Sequence, residues 1–288
     1  STASDSEHIA RTVASYSLLL DNWRRKMVTD AAKIESLKYG KDFYARYVQA
    51  LADLNLPEQA MVASEAGRAR AFQDLLAAGN VGVVKKYVDD SVKIGFVNRG
   101  NAPSLSGEDI LDIVRQRKST VVEYMMTERD LFVWIITPQG RVDMIRHPLD
   151  RNALRETVDT LVKLVEPVSC TAEERKERAN QLTQTLRSLY TFLIEPIPER
   201  LLPDNPVEPV TIVPYEELFR VPFNVLIDKN GKYFIDKHAL AFSSAVSVLR
   251  NTHENKAKLQ ASDNFRLLAV VNPKPLRVGG GGGVGGGV

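Results

Sequence analysis

Apolar residues at Ile9, Val13, Tyr16, Leu20, Trp23, Met27, Ala31 and Ile34 recur at intervals of three and four, the spacing of one helical face. The pattern predicts a first helix, capped by Asp5 or Ser6 and ended by Gly40. A second helix carries Tyr44, Tyr47, Val48, Leu51 and Leu54 on one side and stops at Asn55. Pro57 opens a third, which runs through Leu76 and is stopped by Gly79. That helix is rich in small residues: Ala60, Ala63, Ala66, Gly67, Ala69 and Ala71. Small side chains let a neighbouring helix approach closely, so residues 41–78 predict an antiparallel helical hairpin. Helical repeat arrays are built from such units. The tetratricopeptide consensus is not met, and no second copy occurs, so a plain bundle and the last repeat or cap of an array stand beside that reading.

Residues 80–118 form a connecting segment, with a short helix expected from Glu108 to Arg115. The period then changes to that of a sheet. Residues 120–127, 131–137 and 141–147 are β-branched and aromatic runs joined by short turns, which predicts an antiparallel meander. Phe132, Trp134 and Ile136 fall on one face, Val133 and Ile135 on the other; a strand apolar on both faces is an interior one. Two amphipathic helices follow. One spans residues 150–166 with Leu154, Val158, Leu161, Val162 and Val165 inward. The other starts at Thr171, with Glu174 completing a capping box, and buries Ala179, Leu182, Leu186, Leu189 and Leu193. A proline-rich loop leads to a strand at residues 210–213, a hairpin around residues 228–231, a strand at residues 239–243 and the start of a helix. A last strand is expected at residues 265–271. The order of elements argues for an α/β domain with a largely parallel sheet, preceded by a helical module.

Composition narrows the classes without naming one. Hydrophobic content of 44% with 26% charged residues suits a globular chain of 288 residues. The formal net charge of +2 is too small for a nucleic-acid or membrane field, and no apolar run reaches the roughly 18–20 residues of a spanning helix. The N-terminus is polar and shows no signal peptide, and the single Cys170 rules out an internal disulfide, so the cytoplasm is the expected compartment. Eight of the 17 glycines lie in the last residues, RVGGGGGVGGGV, a tail that buries nothing and is expected to be a linker or an artefact rather than a phosphate loop.

Candidate chemistry is sparse. Cys170, at the start of the helix that follows, could be an activated thiol; an incidental residue beside the Thr171 cap is the preferred reading. His147 reads as a strand-end histidine. His238 could pair with Asp236, again in a structural role. His8 and His253 sit in polar surroundings, and no histidine pair has the spacing of a helical metal site. Glu65 and Arg68 are three apart and would meet on one helix face, with Arg70 pointing elsewhere; a solvated ion pair is preferred to a partner-binding face, with docking onto the α/β domain kept open. Phe132, Trp134 and Tyr124 are expected as one core cluster, and Ser243, Ser244 and Ser247 as helix-capping residues.

Four passages in order resemble the CHAT family: ALADLNLPEQAMVASEAGRARAFQDLL, LRSLYTFLIEPIPERLLP, the stretch of residues 210–250, and RLLAVVNPKPL. The resemblance is to animal tetratricopeptide proteins with a C-terminal CHAT domain. It implies a caspase- or separase-like α/β fold whose active half uses a His and a Cys, in His-Gly-like and Ser-Ala-Cys-like motifs beyond the Asn-Pro strand. This sequence contains neither motif, so no catalytic residue is carried over and peptidase activity is left open.

The expectation is therefore an α/β chain in four parts: a helical module (1–79), a connector (80–118), a partial CHAT-like, caspase-like domain (119–276) and the Gly-rich tail (277–288). The favoured function is a protein-interaction or scaffold module; the alternative is the supporting half of a cysteine peptidase. No catalytic, cofactor or metal residues are assigned. Protein partners are expected through the helical module, neither nucleic acid nor membrane is expected, and self-association is expected through an exposed sheet edge.

Overall fold

The structure, a computed structural model, describes residues 30–79 and 105–250 together with the isolated Ser15. The meander forms as expected from β1 (Thr120–Met126), β2 (Asp130–Ile136) and β3 (Val142–Pro148). The turn between β2 and β3 closes with Gly140 at φ +89°, a conformation that glycine adopts without steric cost. β4 (Pro209–Val213) then pairs parallel to the free side of β1, and β5 (Ala239–Phe242) pairs parallel to β4. The resulting mixed sheet has the order β3-β2-β1-β4-β5.

Register sorts the strand residues into two apolar faces. Glu123 lies opposite Trp134 and Met125 opposite Phe132, so these share one face with Val121 and Ile136; Tyr124 and Val133 share the other. The first face is covered by α1 (Asp30–Asp53), α2 (Pro57–Gly79) and α3 (Gly107–Arg117), through Val48, Leu51, Met61, Ile110 and Val114. The second is covered by α4 (Arg151–Val165) and α5 (Ala172–Leu193), through Leu154, Val158, Leu161, Leu189 and Leu193. The α/β class holds, and β1 and β2 are interior strands buried at every position.

Several local expectations need correction. The helix break at Gly40 does not occur: α1 runs unbroken from Asp30 to Asp53. An internal glycine costs a helix only about 1 kcal/mol relative to alanine and does not remove a hydrogen bond, so it bends to the demand of its neighbours. Tyr124 does not join Phe132 and Trp134. The latter two stack at 5.9 Å on the α1–α3 side, whereas Tyr124 faces α5, packs on Phe223 and donates to the Leu193 carbonyl at 3.0 Å. Burial at the far end of α4 and the near end of α5 also falls short: Val165 and Ala179 are exposed, because the inward stripe of α5 starts only at Leu182. The expected first helix before residue 30, the strand at residues 265–271, the Gly-rich tail, His8 and His253 lie outside the described residues. No helix among the described residues is long and apolar enough to cross a membrane.

The helical pair is attached to the sheet by more than apolar contact. Trp134 Nε1 donates to the Pro57 carbonyl at 2.9 Å, Arg146 bridges Asp53 of α1 and Asp130 of β2 at 2.7 Å each, and Thr127 donates to Gln49 at 2.9 Å. The small residues of α2 do what their pattern suggests. Gly67 lies so close to α1 that a Cβ there would meet the Tyr44 ring at 2.9 Å. Gly67→Ala should therefore destabilise the protein by about 1–2 kcal/mol despite the better helix propensity of alanine, because the overlap is with ring and Cβ atoms that cannot swing away. Chemical denaturation would check this; a more stable variant would contradict the close approach.

Candidate functional site

Strands β1, β4 and β5 run parallel and end on one side of the sheet, and in open α/β sheets ligands bind beyond those carboxyl ends. There the loop after β4 and the turn after β5 enclose an open cleft of about 290 Å³, lined by Pro214, Phe219, Val221, Phe242, Ser243 and Ser244. Phe219 and Phe242 are 56% and 53% exposed, an apolar pair left facing solvent. The turn after β5 is held to β4 by the Ser243 amide, which donates to the Ile212 carbonyl at 3.0 Å.

One wall of the cleft is strained and clamped. Glu216 has φ +48°, in the left-handed region that non-glycine residues enter at a cost of about 1–2 kcal/mol. It opens the short 3-10 turn Glu216–Arg220, which α4 grips at three points. Arg151 pairs with Glu216, Arg155 donates to Glu217 at 2.6 and 3.0 Å, and Arg220 donates to Asp159 at 2.6 Å. These pairs offset the backbone strain and fix the positions of Phe219 and Val221.

Behind the cleft, between α2 and the sheet, lies a fully buried polar network. Glu123 points into the apolar face of β1. Its Oε1 accepts from Ser64 Oγ at 2.7 Å and from Arg68 Nε at 3.1 Å. Arg68 Nη1 donates to the Pro214 carbonyl at 2.6 Å, and its guanidinium lies 5.1 Å from the centre of the Tyr215 ring. One turn earlier, Glu65 accepts the backbone N–H groups of Val246 at 3.0 Å and Ser247 at 2.7 Å. Those are the first donors of the helix that opens at Val246, so Glu65 caps a helix remote from it in sequence. Burial raises the Glu65 carboxyl above its ordinary range, against the bonds to Ser247 and Val246 and the charge of Arg68. Burial likewise pushes Glu123 up to about 7, against the pull of Arg68 and helped by the charge of Glu65. Arg68 Nη2 and Glu123 Oε2 are buried and make no hydrogen bond among the described residues.

This arrangement overturns the solvated pair expected of Glu65 and Arg68. Both side chains are buried and each takes a different partner, because the α2 face that carries them lies against the sheet. The Arg70 side chain lies outside the described residues. Glu123 was missed; its signal was a lone carboxylate in the otherwise apolar run TVVEYMM, where a charge has to find a partner. His238 does not pair with Asp236, whose carboxylate instead accepts from the Tyr233 amide at 2.9 Å. His238 stacks edge-on to Phe234 at 5.4 Å, and burial followed by the charge of Lys237 lowers its pKa. His147 ends β3 against the Phe192 ring at 5.1 Å. Cys170 sits half-buried just before the Thr171 cap, outside the cleft lining. Among the serines, Ser247 meets Glu65 and Ser243 donates to the Ala245 carbonyl at 2.8 Å, so the turn is capped chiefly from α2 rather than by its own hydroxyls. No group of His, Cys, Asp and Glu among the described residues could hold a metal ion.

Residues 183–279 match the family model described as the CHAT domain. The chain carries a CHAT domain. No curated protein matches it. The matched stretch takes in the second half of α5, β4, β5 and every described residue of the cleft lining, whereas Glu65, Arg68 and Glu123 precede it, and Glu65 and Arg68 reach into it.

Two outcomes test the network. Arg68→Ala leaves Glu123 buried without its ion partner and should cost about 3–5 kcal/mol in denaturant unfolding; a loss below about 1 kcal/mol would mean that the pair is solvated. The raised pKa of Glu123 favours its protonated form in the folded state, so its contribution to stability is complete below pH 4.5 and is lost as pH rises through about 7. Glu123→Gln, neutral throughout, should show a smaller fall in Tm between pH 5 and 7.5 than the parent protein. Equal falls would contradict this.

Proposed function

We propose that the chain acts as a protein-binding scaffold, in which a caspase-like CHAT sheet presents an apolar cleft at its carboxyl edge and the helical pair offers a second surface to protein partners. The lining of the cleft carries this reading. Phe219, Phe242, Val221 and Pro214 supply apolar contact and Ser243 and Ser244 supply hydroxyls, and among the described residues of the lining there is no imidazole, thiol or carboxylate to act as a base or nucleophile. Such a surface suits an extended segment of a partner protein with one or two large apolar side chains.

A second reading has its own support. The cleft lies beyond the carboxyl ends of parallel strands, and a strained, clamped residue, Glu216, stands at its wall. Both features suit the supporting half of a cysteine peptidase whose catalytic His and Cys are supplied from beyond this chain.

An array of random peptides incubated with the full chain separates the two. The scaffold reading expects peptides rich in large apolar residues to be retained uncut, with retention lost in the double variant Phe219→Ser/Phe242→Ser. Peptide cleavage by the chain would overturn it in favour of catalysis, and equal retention by the double variant would remove the cleft from binding.

A further inference from the structure

We infer that α2 is a two-point brace for the cleft, through which the docking of the helical pair and the shape of the cleft are reciprocally linked. The two points are Glu65 and Arg68, one helical turn apart on the same buried face. Glu65 holds the N–H groups of Val246 and Ser247, one residue beyond the cleft residues Ser243 and Ser244. Arg68 holds the carbonyl of Pro214, itself a cleft residue, at 2.6 Å. One helix thus fastens both the loop after β4 and the turn after β5.

The chemistry makes the fastening conditional on docking. The N–H groups of a helix's first turn have no partner within the helix. At residues 246 and 247 these groups donate to a carboxylate from another element, while the nearby Ser243 hydroxyl donates to the Ala245 carbonyl. When α2 leaves the sheet, the helix start loses its cap, the Pro214 carbonyl loses its donor and Glu123 loses its cation together. Because linkage is symmetrical, anything that reshapes the turn after β5 also weakens the hold on α2. Glu65 and Arg68 are accordingly positioning residues: they reach the cleft through backbone atoms of its walls and do not line it. The linkage does not depend on what occupies the cleft, so it stands apart from the scaffold reading.

Hydrogen exchange on the intact chain tests it in both directions. In the forward direction, Glu65→Ala should speed exchange of residues 243–250 roughly tenfold, as loss of a helix cap does, and leave α5 unchanged. In the reverse direction, Val246→Pro deletes one of the two donors at the first helical position, where proline is otherwise well tolerated. It should speed exchange in α2 at residues 57–68 several-fold more than Val246→Ala, which removes the same side-chain packing but keeps the N–H. If Glu65→Ala does not fold, Glu65→Gln, which keeps the shape and gives up the charge, serves in the same comparison with a smaller effect. Exchange of residues 243–250 unchanged in the Glu65 variant, or equal α2 exchange in the two Val246 variants, would overturn the linkage.

Discussion

A carboxylate on the apolar face of a sheet sets the terms for the rest of this structure. Glu123 stands between Val121 and Met125 on β1, opposite Trp134 and beside Val213, where water does not reach it. An unpaired charge there is far more costly than any single contact nearby is favourable, so a cation has to be delivered by whatever covers that face. Arg68 is that cation, and it arrives on α2. The demand of one buried group therefore specifies which helix covers the face, at what height and in what rotation. Apolar packing alone would tolerate several such placements, since Val48, Leu51 and Met61 could fill the same layer in more than one register.

Once α2 is placed, its neighbours follow. Gly67 brings it against Tyr44 of α1, Ser64 adds a second donor to Glu123, and Glu65 falls where the helix after β5 begins. The cleft at the carboxyl edge then has walls anchored on both sides of the sheet. Ion pairs from α4 grip the Glu216–Arg220 turn, and the α2 contacts fix Pro214 and the turn after β5. The cleft, whose described lining lies within the stretch that matches the CHAT domain, is in this way connected to helices that precede that stretch.

Much of this was legible in the sequence wherever the signal was local. The alternating runs of residues 120–147 gave the meander, and the Thr171–Glu174 capping box gave the start of α5, with Thr171 and Glu174 bonding reciprocally as their spacing demands. The small residues of α2 announced a close helix partner. What escaped was carried by pairs distant in sequence: Arg68 meets a residue 55 positions away, and Glu65 caps a helix 181 positions away. On a helix wheel the two acidic and basic residues satisfy each other, and only the sheet reveals that they are spent elsewhere. Gly40 misled in the opposite sense, since a local breaker was overruled by a continuous helix. Tyr124 was grouped with Phe132 and Trp134 by residue type, although its position on β1 assigned it to the other face once the register of β1 against β2 was known.

The helical pair and the sheet should unfold as one unit, because neither can release the other without exposing or stranding Glu123. Native-state hydrogen exchange across a denaturant series measures this most directly. The slowest amides of α2 and those of β1 and β4 should converge on a single unfolding free energy with the same denaturant dependence. Opening of α1 and α2 at a markedly lower free energy, with β1 and β4 still protected, would contradict it.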